Sequence, residues 1–359
     1  VTGSTAHQNT EETHHQSTME GDHIKINYWL IPLSWLYGIG VSIRNMMFDA
    51  GILKSRSYKL PVINVGNLTV GGTGKTPHAE YLIRLLSDHY QVAVLSRGYK
   101  RKTKGFVLAS AESKMTDIGD EPYQMKHKFP LIHMAVDRDR CHGIEQLMNE
   151  NVQPPTDVVI LDDAYQHRYV KAGLNILLMD YHRLIYLDRL LPAGRLREPQ
   201  AGKNRADIVI VTKCPRRITP MECRGILASL QLKPWQKAFF TTYRYPKKME
   251  GYGENPLLVT GIASPQQMVY DLKKILPRFD VMSFPDHHHF TQQDIEEIQQ
   301  RAAGRTILTT EKDATRLHGL DNMKVIPIEV EFIGGKKQDF DETIHQFIQN
   351  NLRSQRKHS

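Results

Sequence analysis

Cysteine is scarce in this chain of 359 residues: Cys141, Cys214 and Cys223 are all it has. They show no paired-ligand spacing and are too few for a disulfide framework, which suits a reducing compartment. A bilayer-spanning run is lacking as well. The apolar, aromatic stretch at residues 28–43 falls short of the roughly 20 residues that a span requires, and it carries Pro32 early. No small-residue cleavage site succeeds it; Arg44-Asn45-Met46-Met47-Phe48 comes next, which argues against a cleaved secretory signal. There is no internal repeat and no long low-complexity tract. An acidic excess is also missing: the formal charge is +8, so the surface attracts anions, yet no nucleic-acid-binding motif accompanies the charge. A hydrophobic fraction of 40% and a charged fraction of 24% describe a globular protein, and the length allows two units, each with its own core.

Residues 1–22 are polar, rich in Thr, His, Gln and Glu, and read as a disordered extension, with Met19 as a candidate native start. Residues 23–50 form an apolar segment. Its Tyr28, Trp29, Trp35 and Tyr37 favour the headgroup level, and Arg44, Lys54, Arg56 and Lys59 come after them. That is the pattern of a helix lying in a membrane interface, although a helix buried in the main core fits the same residues. From residue 61, β-branched runs at 62–65, 92–95, 158–161, 176–179 and 208–211 alternate with helical patterns, which implies βαβ units. The expected fold class is α/β, a mostly parallel sheet sandwiched by helices over residues 51–238. Residues 239–255 read as an inter-domain linker. A second, smaller α/β domain is expected at 256–352, with strands at 257–260, 281–284, 307–309 and 325–328 and a helix at 292–303.

The strongest local signal is Thr69-Val70-Gly71-Gly72-Thr73-Gly74-Lys75-Thr76, set between a β-branched run and a helical pattern with Leu82, Leu85 and Leu86. This order is the context that a phosphate loop requires, so the larger unit should have the P-loop nucleotide-binding fold. Glycines let backbone amides converge on phosphate oxygens, Lys75 reaches the β and γ phosphates, and Thr76 ligates magnesium. Thr69 stands where the motif's first glycine is usual. A nucleotide triphosphate brings magnesium, and Asp162-Asp163 at the end of a β-branched run supplies carboxylates for it. A lone acid there would as readily be a helix N-cap. Guanine is usually read by Asn-Lys-x-Asp; Thr212-Lys213-Cys214-Pro215 departs from that pattern and favours ATP. His287-His288-His289 is a poor metal site, because three consecutive histidines cannot all face one ion from a strand.

Further strings are Ser96-Arg97-Gly98-Tyr99, Gly119-Asp120-Glu121-Pro122, residues 162–168 (DDAYQHR), residues 191–199 (LPAGRLREP), Asp286-His287-His288 and residues 309–314 (TTEKDA). Together with the phosphate loop they resemble the tetraacyldisaccharide 4'-kinase family over residues 25–330. The resemblance implies an enzyme that transfers the γ-phosphate of ATP, with Mg2+, to the 4'-hydroxyl of an acylated glucosamine disaccharide 1-phosphate. It also implies a place on the cytoplasmic face of the bacterial inner membrane, held to the lipid surface by the N-terminal helix. A monomer with no nucleic-acid partner is expected. By the same resemblance Asp120 is the catalytic base and His287 its orienting partner, with Lys75 and Asp163 completing the catalytic set. Thr76, Glu121, Asp163 and Gln166 fall round the metal, and Tyr99, Arg140, Arg197 and Glu198 on the substrate side. Ala164-Tyr165, Arg195 and Lys100 stand where the family commonly has Gly-Phe, Pro and Gly. A nucleotide-driven switch would share the phosphate loop and the acid pair, but would have no need of Asp120 and His287.

Overall fold

The structure is a computed structural model that describes residues 24, 26–246, 251–262, 265–276, 278–285, 288–317 and 319–356. The expected extension at 1–22 and His287 lie outside the described residues. In chain order the elements begin with α1 (Ile31–Asp49), β1 (Val62–Asn67), α2 (Lys75–Leu86), β2 (Val92–Ser96), β3 (Val107–Leu108), α3 (Met115–Ile118), α4 (Asp120–Lys128), β4 (His133–Val136), α5 (Arg140–Leu147), β5 (Val158–Asp162) and β6 (Leu174–Asp180). They continue with β7 (Ile208–Thr212), α6 (Pro220–Leu230), β8 (Lys237–Arg244), β9 (Leu257–Thr260), α7 (Gln266–Leu272), β10 (Asp280–Ser283), α8 (Gln292–Ala302), β11 (Ile307–Thr310), α9 (Glu311–Ala314), β12 (Met323–Ile326), β13 (Glu329–Phe332) and α10 (Lys337–Arg356).

Among the described residues the strands make two sheets, ordered β13-β8-β7-β6-β1-β5-β2-β4-β3 and β10-β9-β11-β12. The large sheet is parallel from β8 to β4. Its antiparallel pairs lie at the edges, β13 on β8 and β3 on β4. Strands covered on both faces must be apolar along their whole length, and β2, β5 and β7 are buried at every residue. Alternate side chains serve opposite faces: Ile63, Val65 and Ile160 pack with α2 and α10, whereas Val62, Val159 and Leu161 pack with α5. The small sheet is parallel throughout, with α8 on one face and α7 on the other.

The domain boundaries differ from those expected. Residues 239–244, assigned to the linker, continue β8 inside the large sheet. The chain also comes back: β13 pairs with β8 from Glu329↔Arg244 to Phe332↔Thr241, and α10 adds Phe340, Ile344 and Ile348 to the large core. Residues from 329 onward therefore belong with the large lobe and not with a small domain running to 352. Aromatic packing explains the return. The rings of Phe239, Phe332 and Phe340 lie 4.7, 5.3 and 5.9 Å apart, and Tyr81 of α2 packs against two of them.

Helix α1 is not a core helix. Ser34, Gly38 and Phe48 are its buried residues, while Trp29 just before it is 93% exposed and Trp35, Leu36, Ile39, Ile43 and Met46 are also exposed. Among the described residues no helix is long and apolar enough to cross a membrane. The helix is bolted to the large lobe along its other face. Ser34 Oγ donates to the Leu190 carbonyl (3.0 Å) and accepts from the Ala193 amide (3.0 Å). A Cβ on Gly38 would sit 2.6 Å from Leu190 Cδ1, so a larger residue there would require the Leu190 side chain to shift.

At the start of α2, buried His78 joins the phosphate loop to β8. Its Nδ1 lies 2.7 Å from the Gly74 carbonyl and its Nε2 3.0 Å from Thr241 Oγ1. A neutral ring satisfies both, donating to the carbonyl and accepting from the hydroxyl. Burial lowers its pKa to about 4, against the opposing pull of the Gly74 carbonyl. The unfolded chain takes up this proton near pH 6.5, so between about 6.5 and 4 it binds more protons than the folded chain, and stability falls as pH falls through that window. His78→Gln should flatten this part of a urea-unfolding pH series, and an unchanged slope would assign it to another group. Separately, Phe340→Ala should cost about 3–5 kcal/mol of unfolding free energy by leaving a void among the aromatic rings. A loss below about 1 kcal/mol would mean that α10 does not belong to the core.

Candidate active site

The C-terminal ends of the large lobe's central strands face a cleft of about 1470 Å³, whose opposite wall includes Ile262, Met268, Thr310 and Lys312 of the small lobe. This is where ligands bind in open parallel sheets. The phosphate loop rises from β1 into α2. Gly71 (φ 117°) and Gly74 (φ 86°) are left-handed, and a Cβ on Gly74 would also collide with Tyr243 Oη. The loop is braced from several sides. Val70 N donates to the Arg195 carbonyl (2.8 Å), Asn67 Nδ2 to Thr73 Oγ1 (2.8 Å), and Thr212 Oγ1 to the Thr73 carbonyl (2.9 Å). Arg195 contributes its backbone here, so its departure from the family's proline does not disturb the brace. Lys213 Nζ donates to the Gly72 carbonyl and pairs with Asp180 at 2.6 Å. Sequence reasoning noticed Lys213 only as a departure from a guanine-reading loop.

The two acids at the end of β5 differ in environment. Asp163 is left-handed (φ 49°), and its carboxylate meets Lys75 and Arg197. Burial raises its pKa, but Lys75 (3.7 Å), Arg197 (3.1 Å) and Arg140 outweigh burial, and Asp163 is held below the usual carboxylate range. Asp162 is 1% exposed; its Oδ2 accepts from Ser96 Oγ at 3.2 Å, and its Oδ1 has no hydrogen-bond partner among the described residues. Burial, then Glu121 and Asp163, push its pKa up to about 7.

The expected metal set therefore looks different in three dimensions. Asp163 is engaged by two cations. Gln166 donates Nε2 to the Asn67 carbonyl (2.8 Å) and to Glu198 Oε1 (3.0 Å), while its Oε1 faces Arg197 at 3.3 Å. The buried carboxylate with an oxygen to spare, close enough to Glu121 to feel its charge, is Asp162.

The expected substrate residues divide in the same way. Tyr99 is 71% exposed at the cleft, and Arg197 reaches from it onto Asp163. Arg140 is 3% exposed and donates to the carbonyls of Asp137 and Arg138, with Asp162 O at 3.5 Å; burial lowers its pKa to about 10. It lines the cleft as a buried cation close to the acid pair. Glu198, 2% exposed, takes a fork of bonds from Arg205 (2.8 and 2.9 Å) and another from Asn45 of α1 (3.2 Å). Its oxygens serve the wall of the cleft. Lys100 adopts φ 62°, a left-handed conformation that accounts for glycine being common there. Asp120 is the first residue of α4, just after Gly119 at φ 93°, and carries an ion pair with Arg316 of the small lobe at 3.0 Å.

A family model described as tetraacyldisaccharide-1-P 4'-kinase (LpxK) matches residues 26–349. The chain is 54% identical to a tetraacyldisaccharide 4'-kinase of Phocaeicola vulgatus, over 94% of this chain and 99% of that one. It is 50% identical to that of Bacteroides fragilis, over 94% and 97%. Among solved structures, LpxK of Aquifex aeolicus, described as an "apo" form in complex with ATP, superposes with a TM-score of 0.71 at 31% identity, over 89% of this chain and 98% of that one. With its phosphate loop, acid pair and order of elements, and with matches over nearly its whole length, this chain belongs to the tetraacyldisaccharide-1-phosphate 4'-kinase family.

Proposed function

We propose that the protein transfers the γ-phosphate of ATP to the 4'-hydroxyl of an acylated glucosamine disaccharide 1-phosphate, giving the bis-phosphorylated lipid A precursor. The observation that carries this reading is the convergence of the phosphate loop, the Asp162–Asp163 pair and Asp120 on one cleft, in a chain of this family. Backbone amides of residues 71–76 would cradle the phosphates, and Lys75, set by Asp163, would reach the β and γ phosphates. Asp120 would accept the proton of the 4'-hydroxyl as its oxygen bonds to the γ-phosphorus; the bond from that phosphorus to the bridging oxygen breaks and ADP leaves. Arg197, which also lines the cleft, would steady the transferring group.

The donor set fits magnesium. A hard divalent cation seeks carboxylate and hydroxyl oxygens, and the unpartnered Oδ1 of buried Asp162, with Glu121 nearby and Thr76 in the cleft, offers them. We therefore assign the metal to Asp162, Glu121 and Thr76, with Asp163 and Gln166 orienting the cations and walls around it. Bound there, magnesium would offset the charge of the β and γ phosphates. His287 keeps its expected role as partner of Asp120.

The exposed aromatic and aliphatic face of α1 supports a peripheral seat in the cytoplasmic leaflet of the inner membrane, with the acylated substrate entering beside the helix. Tyr37, Val41, Arg44 and Asn45 of the same helix line the cleft, which would place a lipid headgroup within reach of the phosphate loop.

Asp120→Asn should lower kcat by about 100-fold or more while ATP affinity, measured by calorimetry, changes little. Near-normal turnover would remove Asp120 from the mechanism. Leu36→Glu with Ile39→Glu should weaken binding to anionic vesicles by about tenfold or more, roughly 1.4 kcal/mol per tenfold, and spare turnover on detergent-dispersed substrate. Unchanged vesicle binding would end the α1 anchor.

A further inference from the structure

The string at residues 309–314 is shared with the family, yet phosphoryl transfer as derived from the large lobe leaves it without a task. Locally it is a rigid hook. Asp313, fully buried, accepts at Oδ2 from the Gly261 amide (2.9 Å) and from Thr310 Oγ1 (2.8 Å), and its own amide donates back to that hydroxyl (3.1 Å). This reciprocal turn ties α9 to the ends of β9 and β11, so the chain beyond β11 is presented at a fixed place.

The hook presents charge, at both ends of one helix. Arg316 reaches the first residue of α4: its Nε and Nη2 each lie 3.0 Å from Asp120 Oδ2. Glu311 meets the last residue of α4, its Oε1 lying 2.5 Å from Lys128 Nζ, which also holds buried Glu80 at 2.6 Å. The two pairs run in opposite senses, with a small-lobe cation on a large-lobe acid at one end and the reverse at the other. Sliding the lobes in either direction would set unlike partners out of reach, so the arrangement defines a register and not merely an attraction. The Arg316 side chain is 8% exposed. An arginine so enclosed sets two donors of one planar guanidinium on a single oxygen of its partner carboxylate, a grip that a lysine reproduces only in part.

We propose that Arg316 is a positioning residue for phosphoryl transfer: it fixes the Asp120 carboxylate when the small lobe is docked on α4, and Glu311–Lys128 sets that docking. The lobe interface thus presents the base, whereas the nucleotide is bound by the large lobe's loop. This inference rests on the reading of Asp120 as base, and the experiment separates the two.

The test uses the full chain with magnesium ATP and the acylated disaccharide 1-phosphate in mixed micelles. Arg316→Met should lower kcat by about 10- to 100-fold, the size expected of a misplaced reacting group, with KM for ATP within about threefold of the unaltered protein. Arg316→Lys should recover part of that loss. If Arg316 acts through Asp120, the double variant Asp120→Asn/Arg316→Met is no slower than Asp120→Asn alone. Multiplying losses in the double variant would overturn the proposal, as would an Arg316→Met protein with normal kcat. Normal turnover in Asp120→Asn would instead overturn the base reading and this inference with it. A slow Asp120→Asn beside a normal Arg316→Met would fail the inference alone.

Discussion

Asp163 turns left-handed at the end of β5 and gives its carboxylate to Lys75 and Arg197. Much of the cleft depends on that pairing. Lys75 sits at the start of α2, where the helix N-terminus and the loop amides already favour negative charge; without a counter-ion, its ammonium would be driven towards solvent or towards the loop carbonyls. Asp163 keeps it poised, and Arg197 keeps Asp163 from collapsing onto Lys75. Next to Asp163 in sequence, Asp162 sits in a different environment, and the two acids differ in charge balance. One is stabilised as an anion by three cations. The other is buried, beside Glu121, with an oxygen that finds no donor among the described residues. Such an oxygen is costly unless something binds it, and a divalent cation is the group that this donor set favours.

The N-terminal helix takes part in this network more closely than an anchor would need to. Tyr37 Oη donates to the Arg197 carbonyl at 2.6 Å, Asn45 to Glu198, Arg44 to the Gln166 carbonyl at 3.2 Å, and Arg168 to the Asn45 carbonyl at 2.9 Å. The residues it grips are those that orient Asp163 or flank it. A tilt of α1 would thus be felt at the acid pair through two hydrogen bonds in series. The outer face of α1 is apolar and exposed, so the face turned to solvent and the face that steadies the site belong to one helix.

Sequence legibility tracks interaction range. Continuous apolar runs announce strands that are buried on both faces, and β1, β2, β5, β6 and β7 fall where such runs lie. The phosphate loop is legible because its chemistry is local: two left-handed glycines, a lysine and a hydroxyl in one short stretch. Strand β8 reads as linker because Thr241-Thr242-Tyr243-Arg244 mixes polar and aromatic residues; its burial comes from β13, far along the chain, as the register of Arg244 with Glu329 records. Nothing local tells α10 which core to join, since its Phe340 is as suited to one lobe as to the other until Phe239 and Phe332 are brought together. The roles of Asp162 and Asp163 are illegible for a similar reason. Adjacent acids look alike in one dimension, and only the backbone turn and the approach of Lys75, Arg197 and Ser96 tell them apart.

The chain's return to the large lobe has a mechanical consequence. A small domain appended by one linker can drift freely, but this one is inserted between β8 and β13, neighbouring strands of the same sheet. Two attachment points set side by side restrict motion to a rotation about the line through them, much as two hinges on one edge restrict a door. A rotation of that kind carries the 311–316 hook along an arc towards or away from α4, and the paired charges at the two ends of α4 select one stopping point on it. The insertion supplies the path and the ion pairs supply the stop. The Asp120 carboxylate on α4 is thereby met by a group 196 residues away in sequence.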